Sequence, residues 1–225
     1  MKKIIRTAAL LLALLLLSGC AGEAKEEEER PRRRGERETV QETAQEPQEE
    51  PQEETKEDGV IRAEITVKDY GTIVLELDAQ AAPVTVENFV ELAESGFYDG
   101  LTFHRIMDGF MIQGGDPDGN GTGGSGRNIK GEFALNGVEN PISHVKGVIS
   151  MARARSYDSA SSQFFITVAD ATFLDGGYAA FGRVVEGMEI AEQIAADARP
   201  IDDNGTIPRD RQPVIESVVI VRETG

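Results

Sequence analysis

A strict two-residue alternation opens the foldable part of the chain and narrows what it can become. Ile61, Ala63, Ile65 and Val67 share one face of an extended segment, while Arg62, Glu64, Thr66 and Lys68 share the other. After the turn signal Asp69-Tyr70-Gly71, the stretch from Thr72 to Leu77 alternates again, with Ile73, Leu75 and Leu77 on the apolar side. Two such segments form an antiparallel hairpin with one wet face, whose other face must be covered. From Pro83 to Gly96 the period changes. Val86, Phe89, Val90 and Ala93 follow helical spacing, and Gly96 suits the residue past a helix end. Further strands are expected from Phe103 onward, at 148–152, 163–167 and 180–185, and at 213–221. A second helix follows Glu186-Gly187, with Met188, Ala191, Ile194 and Ala195 on one side. Many short antiparallel strands with two helices predict a closed barrel whose ends the helices cover. An eight-stranded barrel fills its interior with side chains, so a functional site belongs on the outer wall or rim.

The ends of the chain are of different material. Lys2, Lys3 and Arg6 precede an apolar run from Ala8 to Leu17, which is the layout of a secretory signal over residues 1–19. Ten apolar residues are too few to span a bilayer core. Leu17-Ser18-Gly19-Cys20 resembles a bacterial lipobox, which implies cleavage before Cys20, lipid on its sulfur, and an extracytoplasmic, membrane-anchored protein. Cys20 is the single cysteine, so the rest of the chain has no thiol for a disulfide, a nucleophile or a metal site. Residues 20–59 read as a tether. From Ala21 to Gly59 there are 15 acidic and 7 basic residues and almost no large apolar side chain, too little to bury a core. A flexible chain of that length spans about 35 Å. The folded domain is expected over residues 60–225. The formal net charge of −17 gives no basic face for nucleic acid.

Phe103 to Gly115, FHRIMDGFMIQGG, is the most informative stretch. If its halves are strands, alternation puts Arg105 with Met107, and Met111 with Gln113, on one face. Phe103 and Phe110 bracket the turn at Asp108-Gly109. A guanidinium among aromatic and thioether carbon suggests a groove for an apolar ring with one polar contact; an edge strand with a solvated charge is the plainer alternative. Ser162-Gln163-Phe164-Phe165-Ile166 repeats the signature, with Gln163 and Phe165 on one face. Phe173-Leu174-Asp175-Gly176 offers exposed apolar residues nearby.

Other motifs lead elsewhere. Gly119, Gly121 and Gly124 match a dinucleotide fingerprint in spacing, but no helix opens after them. Asp116, Asp118 and Asn120 begin like a calcium loop, yet Arg127 occupies the position that needs glutamate. A wide glycine-permitted loop shaping a rim is the better reading. His104 and His144 lack metal-ligand spacing, and no G-x-S-x-G elbow is present, so both are expected to be hydrogen-bonded structural residues.

Taken in order, FHRIMDGFMIQGGD, NGTGG, ISMARA, SSQFFIT and FLDGGYAAFGRVVEGM make residues 60–225 similar to cyclophilin-type peptidyl-prolyl cis-trans isomerases. The resemblance implies an eight-stranded antiparallel barrel capped by two α-helices, with a proline-binding groove on the outer wall. It implies a catalytic role for Arg105 and a proline-ring pocket of Phe110, Met111, Phe165 and Leu174. Gln113 and Gln163 become groove amides, and Met107, Gly121, Ala152, Arg153 and Ala154 the rim and its main-chain contacts. Phe173 stands where the best-known eukaryotic members carry tryptophan, Arg153 where asparagine is usual, and Tyr178 where histidine is usual. Losing the indole N–H at 173 predicts weak cyclosporin binding. No cofactor or metal is called for. The implied partners are proline-containing, unfolded or exported polypeptides, met by a monomer. A non-catalytic proline-peptide binding module or holdase is the alternative, and a barrel serving only as scaffold is a third.

Overall fold

The structure, a computed structural model, describes residues 60–223. The expected signal, lipobox and tether lie outside the described residues. The expected hairpin is present as β1 (Val60–Val67) and β2 (Gly71–Leu77), in register Ile65↔Ile73 and Ala63↔Leu75. Ala63, Ile65, Val67, Ile73, Leu75 and Leu77 enter the core as alternation requires. Asp69, at φ 65°, takes the left-handed turn position, which asparagine and aspartate tolerate better than other side chains.

Helix α1 (Pro83–Glu94) begins with proline, whose ring presets helical φ. It lacks a side-chain cap of its own. Buried Glu132 supplies one from a distant loop: its carboxylate accepts the Val84 N–H at 3.0 Å, the Thr85 N–H at 2.8 Å and the Thr85 hydroxyl at 2.6 Å. Two orphan N–H groups of the first turn are thereby paired. Phe89 on the inner face meets Tyr98, Phe164 and Phe181 at ring distances of 5.1, 5.6 and 5.3 Å. Helix α2 (Met188–Asp197) buries Ala191, Ile194 and Ala195.

The remaining strands are β3 (Phe103–Met107), β4 (Met111–Gly114), β5 (Val148–Met151), β6 (Phe164–Thr167), β7 (Ala180–Glu186) and β8 (Ile215–Glu223). All pairings are antiparallel, in the order β3-β4-β6-β5-β7-β2-β1-β8. The expected closed barrel is corrected here: the sheet is a curled half-barrel, with no ladder between β3 and β8. The segments leading into those edge strands meet at the bridge Thr102↔Val214, one residue before each strand begins. Continuing that register would place Phe103 against Pro213. The Phe103 N–H does reach the Pro213 carbonyl at 3.0 Å, but proline has no N–H to return, so the ladder stops. For the same reason the last strand starts at 215 rather than at the expected 213. The outer edge of β3 is covered instead by residues 205–207: the Ile106 N–H donates to the Gly205 carbonyl at 2.8 Å, and the Ile207 N–H to His104 at 2.9 Å.

Candidate active site

Strand register builds the site. Arg105 on β3 pairs with Gln113 on β4, Gln113 with Phe165 on β6, and Phe165 with Ser150 on β5. One lateral row therefore runs Arg-Gln-Phe-Ser across four strands, all on one face of the sheet. Ile106, Ile112, Phe164 and Ile166 fill the opposite, core face and are fully buried. The outward face holds a cleft of about 440 Å³. Of the residues expected at the groove, Arg105, Phe110, Met111, Gln113, Gly121, Ala152, Arg153, Phe165, Leu174 and Tyr178 line it.

Four expected residues do not line it. Met107 sits behind the guanidinium, and its sulfur accepts from Arg105 Nη2 at 3.3 Å. Gln163 stands behind Gln113. Ala154 is exposed, and its N–H is already given to Ser159 Oγ at 3.0 Å. Phe173 is 75% exposed and leans on Phe110 with ring centroids 5.5 Å apart.

The guanidinium is held on three sides. Besides the Met107 contact, Nε donates to the Asn204 carbonyl at 2.7 Å, and Nη1 to Gln113 Oε1 at 3.1 Å. Three of the five N–H groups of an arginine are thus engaged, which leaves two. Gln113 Nε2 donates to Gln163 Oε1 at 2.9 Å, and Gln163 Nε2 to the Gly123 carbonyl at 2.8 Å. This relay has one self-consistent direction. A carbonyl at one end only accepts, and a guanidinium at the other only donates, so both amides are oriented from outside. Burial pulls the Arg105 guanidinium below its ordinary value, offset by Tyr178 and Asp202; arginine stays cationic nonetheless.

Sequence patterning missed four lining residues: His104, Asn120, Asn204 and Thr206. His104 is there because of a β-bulge. The register jumps from Phe103↔Gly114 to Arg105↔Gln113, so β3 carries one extra residue. A bulge re-aims side chains. Phe103, two residues before Arg105, goes into the core rather than sharing its face, while His104 joins Arg105 at the cleft. His104 also corrects an expectation: it is 3% exposed, and neither ring nitrogen has a hydrogen-bond partner among the described residues. Burial lowers its pKa, Asp116 opposes that, and Arg105 reinforces it.

His144 does behave as a bonded structural residue. Its Nδ1 pairs with Asp175 Oδ1 at 2.8 Å and its Nε2 with Ser150 Oγ at 3.0 Å, and its ring stacks on Phe165 at 6.1 Å. The Ser-His-Asp order is reminiscent of a hydrolase, but Ser150 is fully buried within the sheet and meets no substrate. The cluster fixes the loop bearing Leu174 to the pocket floor. The glycine loop is shaped by buried Asp116, which accepts backbone N–H groups from Asp118 at 2.8 Å, Asn120 at 3.0 Å and Gly121 at 2.5 Å. Burial alone raises that carboxyl, and the three donors more than offset it, so its pKa lies below the ordinary value.

The family model for cyclophilin type peptidyl-prolyl cis-trans isomerase/CLD matches residues 62–223. Peptidyl-prolyl cis-trans isomerase A of Dickeya dadantii is 42% identical over 163 residues, covering 68% of this chain and 81% of that protein. Peptidyl-prolyl cis-trans isomerase B of Bacillus subtilis is 46% identical, covering 57% of this chain and 87% of that protein. The crystal structure of a Cryptosporidium parvum cyclophilin type peptidyl-prolyl cis-trans isomerase, in the presence of the dipeptide Ala-Pro, superposes with a TM-score of 0.63 at 30% identity. It covers 72% of this chain and 99% of that one. The chain belongs to the cyclophilin-type peptidyl-prolyl cis-trans isomerases.

Proposed function

We propose that the domain accelerates rotation about X–Pro bonds in exported, unfolded polypeptides, with Arg105 as the catalytic residue. The observation that carries this is the guanidinium of Arg105 anchored on three sides in the same cleft as the Phe165 ring. Rotation costs about 18–20 kcal/mol because amide resonance must be broken. At the twisted midpoint the prolyl nitrogen regains its lone pair. An N–H of Arg105 aimed there bonds more strongly in the transition state than in the planar ground state, which is the condition for acceleration. No bond to carbon forms, and no proton changes owner.

Magnitude divides the labour. A charge-assisted hydrogen bond contributes about 1.5–3 kcal/mol, or roughly tenfold to a few hundredfold in rate. The apolar pocket of Phe110, Met111, Phe165 and Leu174 supplies the remainder, by gripping the ring while the preceding carbonyl swings and by excluding water that favours the polar planar amide.

Anchoring through a lipidated Cys20 is the second part of the reading, and the lipobox-like Leu17 to Cys20 supports it. The tether of residues 20–59 then spaces the domain from the membrane.

Protease-coupled isomerisation of a proline tetrapeptide tests the chemistry. Arg105→Ala is expected to lower kcat/KM tenfold or more, and unchanged turnover removes Arg105 from the mechanism. Peptide-induced NMR shifts at the groove without turnover in the wild-type chain would instead indicate the holdase. Cys20→Ser is expected to abolish incorporation of labelled fatty acid and release the protein from membranes.

A further inference from the structure

We propose that Arg153 makes the cleft selective for substrates with an acidic side chain within two residues of the proline; this rests on the isomerase reading above. The cleft lining contains two guanidiniums, Arg105 and Arg153, and no carboxylate. That is the reverse of the chain as a whole, which has 40 acidic and 23 basic residues. Among the described residues neither arginine forms an ion pair. Asp202, which acts on Arg105 from a distance, is committed to its own turn through the N–H groups of Asn204 at 3.1 Å and Thr206 at 2.9 Å.

Arg153 is held in place by neutral partners only. Its Nε donates to the Gly177 carbonyl at 2.8 Å and its Nη1 to the Ala154 carbonyl at 3.1 Å. Its guanidinium carbon lies 5.1 Å from the Phe133 ring centre, 5.2 Å from Tyr157 and 4.6 Å from Tyr178. Ring faces and carbonyls orient the group without cancelling its charge. The rotamer entropy that usually weakens an arginine contact has already been lost. Among the described residues Nη2 donates to no hydrogen-bond partner, so its N–H groups stay available in the fork geometry that suits a carboxylate. An acidic side chain near the bound proline meets a fixed, uncompensated cation, whereas a lysine there meets repulsion.

The test is isomerisation by the intact chain of tetrapeptides carrying Glu, Ala or Lys immediately before the proline, then one position further out. At low salt kcat/KM for Glu is expected to exceed that for Lys by about three- to tenfold, and high salt should compress the ratio. In Arg153→Gln the Glu-to-Lys ratio should fall towards one. Equal rates for Glu and Lys in the wild type, at both positions, overturn the proposal. So does a uniform loss across all three peptides in Arg153→Gln, since that marks a clip holding Gly177 rather than a selector. If the wild type turns over none of the peptides, it is the isomerase reading itself that fails.

Discussion

Arg105 and Gln113 face each other directly across β3 and β4, and the side chains repeat the backbone pairing: Nη1 donates to Oε1 at 3.1 Å. Removing the amide takes away one of three anchors and breaks the relay to Gly123. Gln113→Leu is therefore expected to lower kcat/KM about tenfold, mostly in kcat, since the loosened guanidinium matters most where the nitrogen becomes an acceptor. A change of less than twofold would show that Asn204 and Met107 suffice.

Gly123 accepts from Gln163 and also leaves room for the loop staple. A Cβ there would lie 2.1 Å from Asp116 Oδ1 and 2.9 Å from Asp118 Oδ2. Gly123→Ala must push Asp116 off the three N–H groups it accepts. A stability loss of roughly 1–3 kcal/mol is expected, read as a lower urea midpoint, together with reduced turnover. An unchanged midpoint would mean the loop relaxes freely.

Phe173 is exposed, and its ring leans on Phe110 of the pocket. Phe173→Ala should shift stability by no more than about 0.5 kcal/mol. Phe173→Trp adds an indole N–H at the cleft mouth and is expected to tighten cyclosporin binding by about two- to tenfold, measured by calorimetry. Equal affinity for both side chains would remove the indole from the explanation.

Both histidines have pKa values held below the ordinary 6.5, through burial first, with Asp175 partly opposing it at His144. The unfolded chain therefore takes up protons at a higher pH than the folded one. Stability is full above pH 6.5 and falls as pH drops below it, by at most about 1.4 kcal/mol per pH unit for each histidine. Buried Asp116 and exposed Asp175, both held below the ordinary 3.8 by the hydrogen bonds they accept, add loss in the same direction only at more acid pH. Urea midpoints should decline from pH 6.5 to 5.5. A rise over that interval contradicts the assignment of both rings as neutral.

Much of the wall was legible in the chain because alternation is a local property. Ile65 and Ile73 declared their face without any partner, and so did Phe164 against Phe165. The pocket residues Arg105, Phe110, Met111 and Phe165 were readable through long family motifs. The second guanidinium, by contrast, was visible only as a departure from a usual asparagine, and the aromatic cage around it comes from three separate segments.

What the sequence determined alone was the period of each segment, and hence which side chains share a face, because side-chain direction follows from backbone geometry over a few residues. Tertiary structure decided the rest. Whether the sheet closed depended on where Pro213 fell opposite Phe103. The entry of His104 into the cleft depended on one extra residue in β3 measured against β4. Both are matters of register between two segments, one pair distant in the chain and one joined by a short turn, and register exists only once two strands have met.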